Sequence, residues 1–264
     1  MVEKKDTKEP KTMKLADPVA ATIDIASQQM IERAHELGIE TAFDRAVTMK
    51  PCNIGTQGIC CKNCGMGPCR LPLPKGGIEG EDTRKGICGA TPNTIAARNF
   101  IRMIAGGAAA HSDHGRSVAE VFMSAARKET DAYRIKDTRK LLEVAQWLGV
   151  DTTVEVDGKQ LDRDIDEIAV EVGEKALKEW GKAEGELLFA KRAPEARYEI
   201  WKKQGVVPRN IDREIVEIMH RTHIGVDQDY KILMKQGTRA AIADGWGGSM
   251  LATDLQDILF GTPY

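Results

Sequence analysis

All six cysteines of this 264-residue chain fall between Cys52 and Cys88. The run reads Cys52-x7-Cys60-Cys61-x2-Cys64-x4-Cys69-x18-Cys88. Residues 50–89 also hold nine glycines and four prolines, so no long helix or strand can form there. Such a stretch buries little apolar surface by itself. A bound metal can order it, because binding free energy then becomes folding free energy. This segment constrains the fold more than any other: a cysteine-rich loop organised around metal.

The compartment supports that reading. The N-terminus, MVEKKDTKEPKTMK, is charged and has no apolar signal-peptide core, and no run approaches the ~20 apolar residues of a membrane span. The expected location is cytoplasmic. Thiols stay reduced there, and clustered cysteines read as metal or redox groups before disulfides. The charged fraction is 30% but the net charge is only −2, which leaves no basic field for nucleic acid. Aromatics, at 5%, are too sparse for base-stacking platforms.

Around the loop the pattern is helical. Residues 1–16 form a charged arm, expected to be flexible, and residues 17–264 one helical domain. Asp17-Pro18 is an N-cap and first-turn pair, and apolar spacing continues to Leu37. A short helix is expected over 41–49. Thr91-Pro92 opens a long one running to about Arg127, in which the small run Ala105–Ala110 permits close packing. Further helices are expected over 137–148, 161–180, 194–203, 210–223, 227–243 and 248–260. Val/Thr residues at 152–156 are weak strand candidates. The fold class is all-α, a multi-helix bundle with a cysteine-rich Fe–S loop near its N-terminus.

The cysteines number one complete site plus two. Cys61-x2-Cys64 lets two thiolates converge, Gly67-Pro68 turns the chain back to Cys69, and Cys88 returns between Gly86 and Gly89. Four thiolates suit a [4Fe–4S] cubane or a tetrahedral zinc ion. Surrounding glycines and two further cysteines favour iron–sulfur. Cys60 adjoins Cys61, and neighbouring side chains diverge, so Cys60 pairs more naturally with Cys52. A two-fold dimer would complete four ligands from Cys52 and Cys60 of each copy. A Cys52–Cys60 disulfide and two unbridged thiols are the other readings. Lys62, Arg70, Arg84 and Lys85 adjoin the ligands, where cations would stabilise a reduced cluster.

The segments Cys52-Asn-Ile-Gly, Gly58-Ile-Cys60-Cys61-Lys-Asn-Cys64-Gly-Met-Gly67-Pro68-Cys69-Arg70 and Lys85-Gly86-Ile87-Cys88-Gly89-Ala90-Thr91 resemble anaerobic nickel–iron–sulfur carbon monoxide dehydrogenases. So do Ile95-Ala-Ala97-Arg98-Asn99, Gly107-Ala-Ala-Ala-His111-Ser-Asp-His114-Gly115 and the run from Ala252 to Pro263. The resemblance implies that Cys61, Cys64, Cys69 and Cys88 hold an intrasubunit [4Fe–4S] cluster. It implies that Cys52 and Cys60 hold a cluster shared across a homodimer. It implies CO oxidation with water to CO2, two protons and two electrons, passed to a ferredoxin-type acceptor. An acetyl-CoA synthase subunit is a further partner found among such proteins. The family's nickel centre takes one His and several Cys from later α/β domains. No cysteine remains here to build it, so this chain is expected not to oxidise CO alone, and a partner chain supplying the nickel site is one alternative.

His111 and His114 stand i, i+3 on the long helix. The resemblance gives this pair a proton path, although Ser117 stands where some relatives have another histidine. His220 and His223 share the spacing without a metalloprotease pattern and read as packing or surface residues. The rival readings are a hybrid-cluster (prismane) redox protein and a zinc-stabilised interaction module. The Cys60-Cys61 pair and the Gly107–His114 run fit the former less well.

Overall fold

The computed structural model describes residues 14–263. Most of the charged arm, residues 1–13, lies outside the described residues. Two compact units divide the chain, Met1–Thr56 and Gln57–Tyr264.

The first unit holds α1 (Pro18–Ala21), α2 (Ile25–Glu36) and α3 (Ala42–Thr48). The single helix expected over 17–37 is broken. Thr22 is extended, and the Asp24 carboxylate takes the Ser27 amide at 2.7 Å, starting α2 afresh. Asp offers the backbone a local partner that competes with helix continuation. Asp17 and Pro18 cap α1 as expected. Among its described residues little is buried: Ala16, Ile31 and Asp44. Asp44 is the hub. Its carboxylate accepts from the amides of Ala16 and Thr41, both at 2.7 Å, and from the Thr41 hydroxyl at 2.6 Å. Meanwhile Val19, Ile23, Ile25, Met30 and Phe43 face solvent.

The second unit is built on α4 (Pro92–Ala126), 35 residues long. The Thr91 side chain and Pro92 start it. Around it lie α5 (Thr138–Leu148), α6 (Ile165–Gly181), α7 (Glu195–Gln204), α8 (Ile211–Arg221), α9 (Tyr230–Ala243) and α10 (Ala252–Phe260). The main core packs Phe122, Leu141, Ile168, Trp180, Phe189 and Leu255. A second core joins Ile101 to Ile218, Leu233 and Ala240. Among the described residues no helix is long and apolar enough to cross a membrane.

Among the described residues the fold is mostly helical with two small antiparallel pairs. β1 (Cys60–Cys61) pairs with β2 (Cys69–Arg70). β3 (Thr153–Val156) pairs with β4 (Lys159–Asp162), so the Val/Thr run is a true strand and α6 starts at Ile165, later than expected. The turn Asp157-Gly158 takes positive φ at both residues, as a tight hairpin requires. Helix 227–243 likewise begins only at Tyr230, where Asp229 caps it.

A π-helical segment, Asp244–Leu251, joins α9 and α10 without a break. Periodicity suggested two separate helices. The wider turn brings Gly248 against α4, where a Cβ on Gly115 would lie 2.9 Å from the Gly248 oxygen and 2.8 Å from Trp180. The close packing expected over 105–110 is made by Ala105 and Ala108, both buried, with Ala105 in the second core beside Ala240 of α9. Gly106 and Gly107 meet nothing within 4 Å.

Candidate metal centre

The β1–β2 register sets Cys61 opposite Cys69 and Cys60 opposite Arg70. Successive strand residues point to opposite faces. Cys61, Cys64, Cys69 and Cys88 accordingly line one narrow cavity of about 10 Å³, and Cys60 is not among its lining residues. None of the four is in a disulfide. Among the described residues no three Cys, His, Asp or Glu side chains close to the spacing of a single ion.

The walls come from several elements. The Ile87 amide donates to Cys69 Sγ at 3.4 Å. A Cβ on Gly86 would stand 3.3 Å from the same sulfur, so a side chain there would crowd it. Ile95 packs on Cys61 and Ala90 from the first turn of α4. The link between α8 and α9 closes the far side with Thr222 and Ile224. Gln228 Nε2 donates to the Cys88 carbonyl at 2.9 Å, and the Thr94 hydroxyl to the Gln228 carbonyl at 2.7 Å. Sequence reading missed this link, which lies over 130 residues from the cysteines it covers.

It also missed Arg98. Its guanidinium is buried, and Nη1 lies 3.5 Å from Cys88 Sγ. Burial pushes the Cys88 thiol up, but the Arg98 cation, the Ala90 amide and Gln228 together hold it below its ordinary value. The signal was available: Arg98 stands three residues after Ile95 on one helix face. The cations expected near the ligands stay outside. Lys62, Arg70 and Lys85 are exposed, and Arg84 is turned onto Asp82, with Nε 2.9 Å from its carboxylate.

Two buried nitrogens of the lining residues, Asn63 Nδ2 and Arg98 Nε, have no hydrogen-bond partner. Four soft donors with unspent N–H groups along one cavity fit a sulfur-rich, anionic iron–sulfur group.

Cys52, in the first unit, is exposed and takes the Gly55 amide on its sulfur at 3.5 Å. Cys60, in the second, is half-buried, and Asn99 Nδ2 ties its carbonyl to α4 at 3.0 Å.

His111 meets the π segment. Its Nδ1 lies 2.8 Å from Asp244 Oδ1 and 3.3 Å from the Ser249 hydroxyl. This contact is not legible in the sequence, because the partner sits 133 residues away. His114 lines a separate hollow with Ser117, Tyr133 and Phe260. His220 and His223 are exposed.

Solved structures share this fold. A Ni-free carbon monoxide dehydrogenase from Thermococcus sp. AM4 is 46% identical, with a TM-score of 0.78 over 94% of this chain and 38% of that one. Carbon monoxide dehydrogenase IV from Carboxydothermus hydrogenoformans is 40% identical with a TM-score of 0.74, covering 95% of this chain and 37% of that one. Among curated relatives, carbon monoxide dehydrogenase 1 of Methanosarcina acetivorans is 50% identical over 92% of this chain and 37% of its own length. The Moorella thermoacetica protein named carbon monoxide dehydrogenase/acetyl-CoA synthase subunit beta is 41% identical, over 92% of this chain and 34% of its own. The chain thus spans little more than a third of these relatives. The model of the Prismane/CO dehydrogenase family matches residues 59–264, nearly the whole second unit with its cysteine cavity, and the chain belongs to that family.

Proposed function

We propose that this chain is the electron-transfer and dimerisation part of an anaerobic nickel–iron–sulfur carbon monoxide dehydrogenase, with residues 17–264 working as one module. Cys61, Cys64, Cys69 and Cys88 hold a [4Fe–4S] cluster in each chain. Cys52 and Cys60 hold a second cluster shared by two copies. One observation carries the reading: four thiols line a single cavity of the second unit. A bound iron–sulfur cluster supplies one-electron chemistry. The residues themselves bind it, exclude water with Ile95 and Ile224, and present N–H groups to sulfur. Exposed Val19, Ile23, Ile25 and Met30 of the first unit support a second copy seated there.

In the assembled enzyme, CO and water give CO2, two protons and two electrons, and the electrons leave for a ferredoxin-type acceptor in the cytoplasm. His111 and His114 serve the protons. The Asp244 carboxylate can only accept, so His111 carries its proton on Nδ1 and leaves Nε2 to take another. All six cysteines are committed in this scheme. The nickel ligands therefore lie in another domain or chain, and this chain alone does not oxidise CO. An acetyl-CoA synthase subunit fits as a partner, given the similar Moorella protein.

Anaerobic purification with iron, sulfide, zinc and nickel analysis and native mass tests the scheme. A brown dimer with about six irons per chain, falling to about two in Cys64→Ala and to about four in Cys60→Ser, is expected. A colourless monomer with stoichiometric zinc overturns it.

A further inference from the structure

The cysteine cavity contains a buried cation without a counter-ion. Arg98 is 1% exposed, and among the described residues it pairs with no carboxylate. Its Nη2 donates to the Asp227 carbonyl and its Nη1 to Cys88 Sγ. Its Nε has no acceptor, and neither does Asn63 Nδ2, which lines the same cavity. A buried guanidinium unmatched by negative charge is costly, and so is a sealed N–H without an acceptor.

The side chain cannot swing out to find either. The Asp227 carboxylate, beside the carbonyl that anchors Arg98, is already paired with Arg221 Nη1 at 2.7 Å. Arg221 is itself held by Glu217, with Nε 2.7 Å from the carboxylate. These anions are matched by arginines of their own. What Arg98 and Asn63 lack must come from inside the cavity: negative charge together with acceptor atoms beyond the cysteine sulfurs. An iron–sulfur cluster supplies both through its net charge and its inorganic sulfides, whereas a zinc ion brings no acceptor.

We propose that Arg98 is the counter-ion of the cluster held by Cys61, Cys64, Cys69 and Cys88, that Arg98 and Asn63 donate hydrogen bonds to its sulfur, and that both raise its reduction potential. The proposal rests on the cluster reading above. Reduction adds negative charge, so a fixed cation and N–H donors favour the reduced form. Arg98 acts on the electron through the cluster and is a positioning residue.

The test uses the full chain, reconstituted anaerobically with iron and sulfide in a Cys60→Ser background so that one cluster type contributes. Midpoint potentials come from titrations followed by electron paramagnetic resonance. In Arg98→Met, the reduced-to-oxidised ratio at the parent midpoint should fall at least tenfold, which is about 59 mV for one electron. Arg98→Lys and Asn63→Leu should fall in the same direction by less. A lower melting temperature with an unmoved midpoint would mean a merely structural role and overturns the proposal. Should Arg98→Met take up no iron, the other two variants decide by the same criterion, and unmoved midpoints in both overturn it. If the parent chain itself takes up no iron, the cluster reading falls and this inference falls with it. Intact iron with unmoved midpoints defeats the inference alone.

Discussion

His35 Nε2 lies 2.8 Å from Asp44 Oδ1, and the same carboxylate gathers the amides of Ala16 and Thr41. The Thr41 hydroxyl and then the Ala16 amide hold the Asp44 carboxyl well below the usual carboxylate range, although burial opposes them. A depressed carboxyl contributes stability that is present above its unfolded value, about 3.9, and is lost as pH falls toward the folded one. Asp44→Asn should therefore loosen the first unit at pH 7, and its deficit should shrink below about pH 4. Amide exchange over residues 25–48 across pH measures this; a deficit that persists unchanged at low pH refutes the account.

Two glycines of α4 should respond oppositely to a methyl group. At Gly115 a Cβ would meet Trp180 at 2.8 Å, so Gly115→Ala should cost about 1–3 kcal/mol through overpacking. Gly106 is helical and meets nothing within 4 Å, so Gly106→Ala should gain up to about 1 kcal/mol from helix propensity. Urea unfolding of both variants separates the effects, and equal losses would show that the α4 packing is misassigned.

Glu214 is fully buried on α8 and accepts from Arg209 Nε at 2.9 Å, Arg209 Nη2 at 2.8 Å and Gln236 Nε2 at 2.9 Å. Arg209 keeps the Glu217 carboxylate as a partner, so Glu214→Ala should cost about 1–3 kcal/mol, less than a fully stranded buried charge. The pair replacement Arg209→Met with Glu214→Leu should cost clearly less. A double-mutant cycle in denaturant reads the coupling, and simple additivity would count against the network.

The Asp244–His111 contact fixes a tautomer. Nitrogen-15 NMR of the imidazole should find the neutral ring protonated on Nδ1, and Asp244→Asn should abolish that preference. An Nε2-protonated ring in the parent chain would remove the basis for a proton acceptor at that atom.

Where a few neighbouring residues decide the outcome, the sequence was readable. Thr91-Pro92 announced α4, and Cys60-Cys61 announced side chains on opposite faces. The small run of α4 was legible only in part: Ala105 and Ala108 are buried as close packing requires, but composition did not say that Gly106 and Gly107 face away from any neighbour. The break at Thr22–Asp24 was a capping choice hidden inside a continuous apolar pattern. The wall at Thr222–Gln228, the Asp227 anchor of Arg98 and the Asp244 partner of His111 were out of reach for a different reason. Each depends on contacts more than a hundred residues apart, which periodicity does not encode.

One helix carries both Arg98, at the thiol-lined space, and His111, at the π segment. At about 1.5 Å of rise per residue, the stretch from 98 to 111 spans roughly 20 Å. α4 therefore serves as a rigid gauge: it sets a fixed interval between the place where charge would be stored and the place where protons would be handed off. Because Gly106 and Gly107 sit within that interval, any bend introduced there would alter both ends together rather than either one alone.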